Sequence, residues 1–241
     1  NASDFFANGA IQILKNLNVD KIVFGTETLN AQNLEALANI QNSASFHKLV
    51  QKYLDEGLNY PTCLSKASYE LTNMKIDSPN DLLGLSYIKA LKNTNIKAVT
   101  IQRTSNYHAK DLTGPFTSAS SIRKALKEKR DIKNYVPKVT YHHLQTHLHF
   151  QSAYFNLLKY KIISEIDHLD QYLDVDEGLE NRIKKYIYEV TTLDELITKI
   201  KTKRYTYNKI NRMLTHILCG FTKQEAKQFQ NPEYIRVLGF N

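Results

Sequence analysis

Apolar positions recur at helical spacing from the start of the chain. In SDFFANGAIQILKNL, Phe5, Ile11, Ile13, Leu14 and Leu17 predict a helix over 4–17, capped by Ser3, with these side chains mostly inward. DKIVFGTET follows, and its residues 21–24 read as a short buried strand ended by Gly25. Residues 30–56 are helical by periodicity, and Pro61 suits the first turn of a helix running to about residue 71. Ser78-Pro79 opens another helix, NDLLGLSYIKALKN, in which Leu82, Leu85, Ile88 and Leu91 return every three residues. IKAVTIQR is a β-branched strand. A polar loop over 104–116 leads into TSASSIRKAL, a helix pattern starting near Ser120.

Helices alternating with two strands are the grammar of an α/β fold with a parallel sheet. Two strands do not make a stable doubly wound sheet by themselves. The pattern therefore predicts an incomplete Rossmann-like domain over 1–136. The chain opens on Asn1, already inside a helical pattern, which predicts a fragment or processed form with its beginning missing. After NYVPKV the texture becomes helical: 150–167, 177–189, TTLDELITKIKTK with a Thr cap and acidic first turn, and YTYNKINRMLTHILCG closed by Gly220. Only YIRVLGF reads as extended. Residues 137–241 form a predicted helical domain.

Length and composition permit real cores: 241 residues, 42% hydrophobic and 10% aromatic. No apolar run approaches the roughly 18 residues of a membrane span, and no secretory signal is visible. Cys63 and Cys219 are the two cysteines, which argues against a disulfide framework and for a reducing cytoplasm. The net charge of +8 is concentrated. Residues 196–224 contain no Asp or Glu but hold Lys199, Lys201, Lys203, Arg204, Lys209, Arg212 and Lys223. Such a block points to a polyanionic partner. Within it, Ile210, Met213, Leu214 and Ile217 fall on one helical face, and Tyr205, Lys209 and Arg212 on another. Cations with a tyrosine ring suit RNA, so Lys201, Lys203, Arg204, Tyr205, Lys209 and Arg212 are the candidate RNA-binding set. A merely solvated basic face is the plainer alternative.

TSASSIRKAL also has two readings. One hydroxyl among Thr117, Ser118 and Ser120 suffices to cap a helix. A helix start with clustered hydroxyls and Arg123 also suits phosphate, and in an α/β unit it falls where ligands bind. The stretch resembles the I-S/T-x-x-x-I-R signature of adenylyltransferase-type nucleotidyltransferases. DFFANGAIQILKNLNVDKIVFGTE, SPNDLLGLSYIKAL, VTIQRTSNYH, KTKRYTYNKINRMLTHIL and YIRVLGFN together resemble the bacterial tRNA(Met) cytidine acetate ligase family, in the family's order. That resemblance implies an ATP-dependent ligase that forms acetyl-adenylate from acetate. It then transfers acetyl to N4 of the wobble cytidine of elongator tRNA(Met), with Mg2+ accompanying the ATP. It implies ATP contacts by Gly25, Asn80, Arg103, Ser118, Ser120, Ser121 and Arg123, with Arg103 catalytic as stabiliser of the leaving pyrophosphate. The family's H-x-G-H motif is absent from this chain, so the resemblance implies an inactive truncated form.

Other candidates carry less. His143 and His147 in HHLQTHLHF have helical metal spacing but no carboxylate or Cys nearby, so no metal is expected. Asp167, Asp170, Asp174, Asp176 and Glu177 lack calcium-loop spacing and read as a solvated helix junction. Two alternatives stand beside the ligase: a nucleotidyltransferase adenylating a small metabolite, and a non-catalytic RNA-binding protein.

Overall fold

A computed structural model describes residues 3–103, 112, 117–146 and 148–239. The first part contains helix α1 (Ser3–Asn16), strand β1 (Lys21–Thr26), helices α2 (Ala31–Ile40), α3 (Ala44–Asp55), α4 (Tyr60–Thr72) and α5 (Pro79–Leu91), and strand β2 (Lys97–Gln102). Helices α6 (Ala119–Lys127) and α7 (Lys138–His143) follow. The last part comprises α8 (Phe155–Ser164), α9 (Leu179–Tyr186), α10 (Leu193–Ile200), α11 (Tyr207–Cys219) and α12 (Lys223–Gln228), with short 3₁₀ turns between.

β1 and β2 pair in parallel, in register from Lys21↔Lys97 to Thr26↔Gln102, with four helices in the crossover. This is the mixed α/β architecture that the alternation predicts. The strands are half-covered rather than buried. Ile22, Phe24 and Ala98 pack on the core formed by Leu34, Leu37, Leu85 and Ile88. Val23, Val99 and Ile101 point the other way and are 56%, 40% and 61% exposed. The apolar run hides this difference because side chains in a strand alternate faces. Gly84 sets how closely α5 approaches the sheet: a Cβ there would lie 2.8 Å from the Phe24 ring and 3.0 Å from Leu34.

Several boundaries differ from the periodicity. The long helix expected over 30–56 is two helices, because Ser43 accepts the Phe46 amide and caps α3. Asn30 caps α2 through a reciprocal pair with Asn33. Phe5 and Leu17 of the first pattern are exposed, while Ala7 and Ile11 carry the buried face of α1 against α5. Helix α6 begins at Ala119, within one residue of the expected start near Ser120, and is capped by Ser118. Residues 234–239 form no strand.

A second core gathers Leu158, Ile162, Leu169, Leu179, Ile183, Leu196, Ile197, Ile210, Met213 and Ile217 from α8 to α11. Each fully buried aliphatic side chain there contributes about 1.5–3 kcal/mol through burial. Ile210, Met213, Leu214 and Ile217 are the inward face of α11 as their spacing predicts, and α11 closes at Gly220. No helix among the described residues is long and apolar enough to cross a membrane.

Candidate nucleotide edge and basic flank

The carboxyl ends of β1 and β2 lie side by side, and three of the expected nucleotide contacts meet there. Gly25 sits inside β1, opposite Ile101, and does not end the strand. Its role is close approach, not a turn: a Cβ at Gly25 would stand 3.3 Å from Arg103 Cγ. The Arg103 amide donates to the Thr26 carbonyl at 2.8 Å, so the residue after β2 is held against the end of β1. Arg103 Nε is buried and has no hydrogen-bond partner among the described residues. Asn80, in the first turn of α5, donates its side-chain amide to Glu27 Oε1 at 2.6 Å.

Beneath this edge sits a residue the sequence reading missed. Asp81 is fully buried. It accepts the Glu27 amide at 2.8 Å, the Thr28 amide at 3.2 Å and the Thr28 hydroxyl at 2.8 Å. Its own amide donates to Ser78, the cap of α5. One carboxylate thus fixes the loop after β1 to the start of α5. The signal was present as an acid three residues past a Ser-Pro helix start, with GTET preceding the first crossover helix.

The serine cluster is partly consumed by the fold. Ser118 accepts the Ser121 amide at 3.0 Å, and the two hydroxyls lie 2.8 Å apart in a buried pair. Ser120 and Arg123 are exposed on α6. The chain between Arg103 and this helix runs through 104–116, of which only Leu112 is described.

The basic set is more heavily paired than its sequence implies. Tyr205 precedes α11, whose cap is Thr206, so it does not share a helical face with Lys209 and Arg212. Tyr205 is 7% exposed, and its hydroxyl donates to Glu177. Burial and that bond push its phenol pKa up. The Tyr205 hydrogen bond holds the Glu177 carboxyl below its usual value despite some burial, with help from Arg204 and Lys209. Arg204 pairs with Glu177 at 3.2 Å, and Lys209 Nζ lies 4.8 Å from the Tyr205 ring centroid. Arg212 grips Asp174 twice, at 2.7 and 3.2 Å. Burial raises the Asp174 pKa, but the Arg212 bonds and charge outweigh it and leave the carboxyl below its ordinary value. Lys201 and Lys203 are exposed.

The acidic cluster is largely solvated, as its spacing suggests, but most of its carboxylates are also paired. Asp174, Asp176 and Glu177 pair with Arg212, Lys223 and Arg204, and Asp167 with Lys184. No three His, Cys, Asp or Glu side chains gather among the described residues, and His147 lies outside them.

A cleft of about 840 Å³ runs between the two parts of the chain. Pro79, Leu82 and Lys89 of α5 line one side, and Arg204, Lys209 and Arg212 the other. It begins one residue from Asn80.

The family model described as HIGH Nucleotidyl Transferase matches residues 1–241. A protein of Geobacillus sp. (strain WCH70) named tRNA(Met) cytidine acetate ligase is 37% identical over 259 residues, covering 100% of this chain. The chain spans 65% of that relative's length. A Mycoplasma mobile protein of the same name is 35% identical, covering 92% of this chain and 75% of its own length. The fold matches crystal structures of Thermotoga maritima TmcAL. The apo form superposes with a TM-score of 0.90 at 24% identity, covering 100% of this chain and 63% of that one. The form bound with alpha-thio ATP gives 0.82 at 23% identity, covering 99% and 62%. The chain belongs to the HIGH nucleotidyl transferase family, and its curated relatives there are named tRNA(Met) cytidine acetate ligase.

Proposed function

We propose that the protein carrying this chain is an ATP-dependent ligase that acetylates the wobble cytidine of elongator tRNA(Met). ATP and acetate give acetyl-adenylate and pyrophosphate. The cytidine N4 then attacks the acetyl carbonyl, AMP leaves, and a proton is released. The observation that carries this reading is the meeting of Gly25, Asn80 and Arg103 at the carboxyl edge of the parallel pair, where α/β folds bind nucleotides. The relatives' names and the alpha-thio ATP in the Thermotoga neighbour agree with it.

In this reading residues 1–136 contribute to the ATP-binding domain and 137–241 are the tRNA-binding domain. Gly25 lets the nucleotide approach the strand end. Asn80 reads a polar edge of the nucleoside. Arg103, whose Nε has no partner among the described residues, faces the charge developing on pyrophosphate. Ser120 and Arg123, exposed on α6, flank the phosphates, while the buried Ser118–Ser121 pair shapes the helix start that presents them. No group of three His, Cys, Asp or Glu able to hold a metal ion occurs among the described residues, and Mg2+ would arrive chelated by ATP. No step is assigned to an H-x-G-H pair, a string this chain does not contain. Lys201, Lys203, Arg204 and Lys209 face RNA, while Tyr205 and Arg212 chiefly hold the base of α11 in place. Two free cysteines and the absence of a membrane-length helix among the described residues fit the cytoplasm, where tRNA is found.

The test uses the gene product that contains this chain. Labelled acetate should enter tRNA(Met) only when ATP is present. Arg103→Ala should reduce acetate-dependent ATP–pyrophosphate exchange far more than tRNA affinity. Exchange without RNA labelling would indicate a metabolite-adenylating enzyme. RNA binding without exchange would indicate a non-catalytic RNA-binding protein.

A further inference from the structure

We infer that the corner between α9 and α10 is a phosphate platform for RNA, organised around Tyr186. This rests on the reading of the chain as acting on RNA, and it extends the polyanion contact from the basic block of the sequence to Arg182, Lys185 and Tyr186 on α9. Three cations from two helices converge on the half-buried Tyr186 ring. Arg182 Cζ lies 6.0 Å from the ring centroid, Lys185 Nζ 5.2 Å and Lys199 Nζ 5.5 Å.

Their surroundings differ from those of the other cations nearby. Arg204, Arg212, Lys223 and Lys184 each face a carboxylate. No ion pair joins Arg182, Lys185 or Lys199 to a carboxylate among the described residues. Arg182 spends its donors on backbone, with Nε to the Ile200 carbonyl at 2.9 Å and Nη2 to that of Lys199 at 2.8 Å. It thereby ties α9 to the end of α10 while keeping its charge. The ring face attracts the ammonium groups, and the carboxyl end of α10 favours Lys199. These attractions hold like charges together that otherwise repel. An entering phosphate removes that repulsion.

The shape of the patch selects a strand over a small anion. Lys201 and Lys203 continue the exposed cations beyond α10, and Tyr188, 65% exposed, stands two residues past Tyr186. Exposed cations that follow closely in the chain, with an exposed ring two residues past Tyr186, match a phosphate backbone whose unpaired bases have a surface to stack on. The partner is a single-stranded or loop segment of RNA.

The test compares the full gene product with its Lys185→Gln/Lys199→Gln variant, leaving Arg182 in place because it holds the α10 carbonyls. Affinity for a tRNA(Met) transcript should fall about tenfold near 0.1 M salt. The slope of log K against log salt should flatten by about two, one for each lost phosphate contact. Acetate-dependent pyrophosphate exchange and the thermal midpoint should stay unchanged, as should tRNA binding by the remote Lys15→Gln variant. Wild-type tRNA binding that the double variant reproduces within twofold, with the same slope, overturns the platform and leaves the ligase reading intact. No tRNA binding by the wild type overturns both. Loss of binding to phosphatidylserine vesicles with tRNA affinity retained would assign the patch to a membrane and overturn the proposal.

Discussion

Asp81 and Thr28 are joined twice across the first crossover: the Asp81 carboxylate accepts the Thr28 amide at 3.2 Å and its hydroxyl at 2.8 Å. A third bond, from the Glu27 amide, fills the other oxygen. Removing the acceptor takes the partner from three donors at once, at a carboxylate that is itself fully buried. Asp81→Ala should cost about 3 kcal/mol in urea unfolding. Asp81→Asn should rescue it poorly, because one of its two amide atoms presents a donor to donors. A variant as stable as wild type would show that the loop after β1 does not depend on this carboxylate.

Gly25 and Arg103 give a second prediction. In Gly25→Ala the new methyl lies 3.3 Å from Arg103 Cγ, and the flexible arginine stem can move aside. Stability should change by less than about 1 kcal/mol, while ATP affinity falls severalfold in the gene product because the guanidinium is displaced. Isothermal titration with ATP, set against a thermal melt, separates the two effects. Equal ATP affinity in the variant would remove Gly25 from the nucleotide site.

Arg212 separates structure from RNA contact. Its pair with Asp174 is only partly exposed. Arg212→Ala should destabilise by about 2 kcal/mol, between the ~0–1 of exposed pairs and the ~3–5 of buried ones. Its tRNA affinity, measured well below the melting point, should remain near wild type. A large affinity loss in a stable variant would return Arg212 to the RNA surface.

Gln41 is a cost within the core. It is 5% exposed, and neither atom of its amide has a hydrogen-bond partner among the described residues. It lies in the wall between the cleft that Arg204 and Arg212 line and a second cavity of about 810 Å³ that reaches Phe46 and Lys97. Replacement by an apolar residue of similar size, Gln41→Met, should raise stability by about 1 kcal/mol. A lower melting temperature would mean that the amide is paired in solution.

Acid should loosen the α11 anchor in two stages. Burial holds His216 below its ordinary pKa, against the raising effects of the Leu173 carbonyl and Asp174. Asp174 is also held low. Both groups bind more protons when unfolded, so stability rises with pH through each range. The His216 contribution is complete above about pH 6.5 and is lost as pH falls below it; the Asp174 contribution is lost below about pH 4. Urea midpoints at pH 7.5 and 5.5 should differ less in His216→Gln than in wild type. An identical difference would exclude His216 as a source.

The sequence determined much of the local structure. Ser43, Ser78, Thr192 and Thr206 cap helices through their own side chains, an interaction spanning three residues. Helical spacing identified the inward face of α11, since a 3.6-residue repeat brings Ile210, Met213, Leu214 and Ile217 to one side whatever they touch. Gly25, Asn80 and Arg103 were nominated by a family resemblance, and their meeting needed the parallel register to bring two strand ends together.

Long-range pairing was invisible in the chain. Glu177 lies 28 residues from Tyr205 and Asp174 38 residues from Arg212, so part of an unbroken basic run in sequence, Arg204 and Arg212, is neutralised in space. Asp81 stands in the first turn of α5, and only packing buries it beside the Glu27 and Thr28 amides. Which face of each strand is covered was likewise settled by where α5 lies. Caps and periodicities are set within a few residues, whereas charge compensation and burial depend on which distant segments the fold brings into contact.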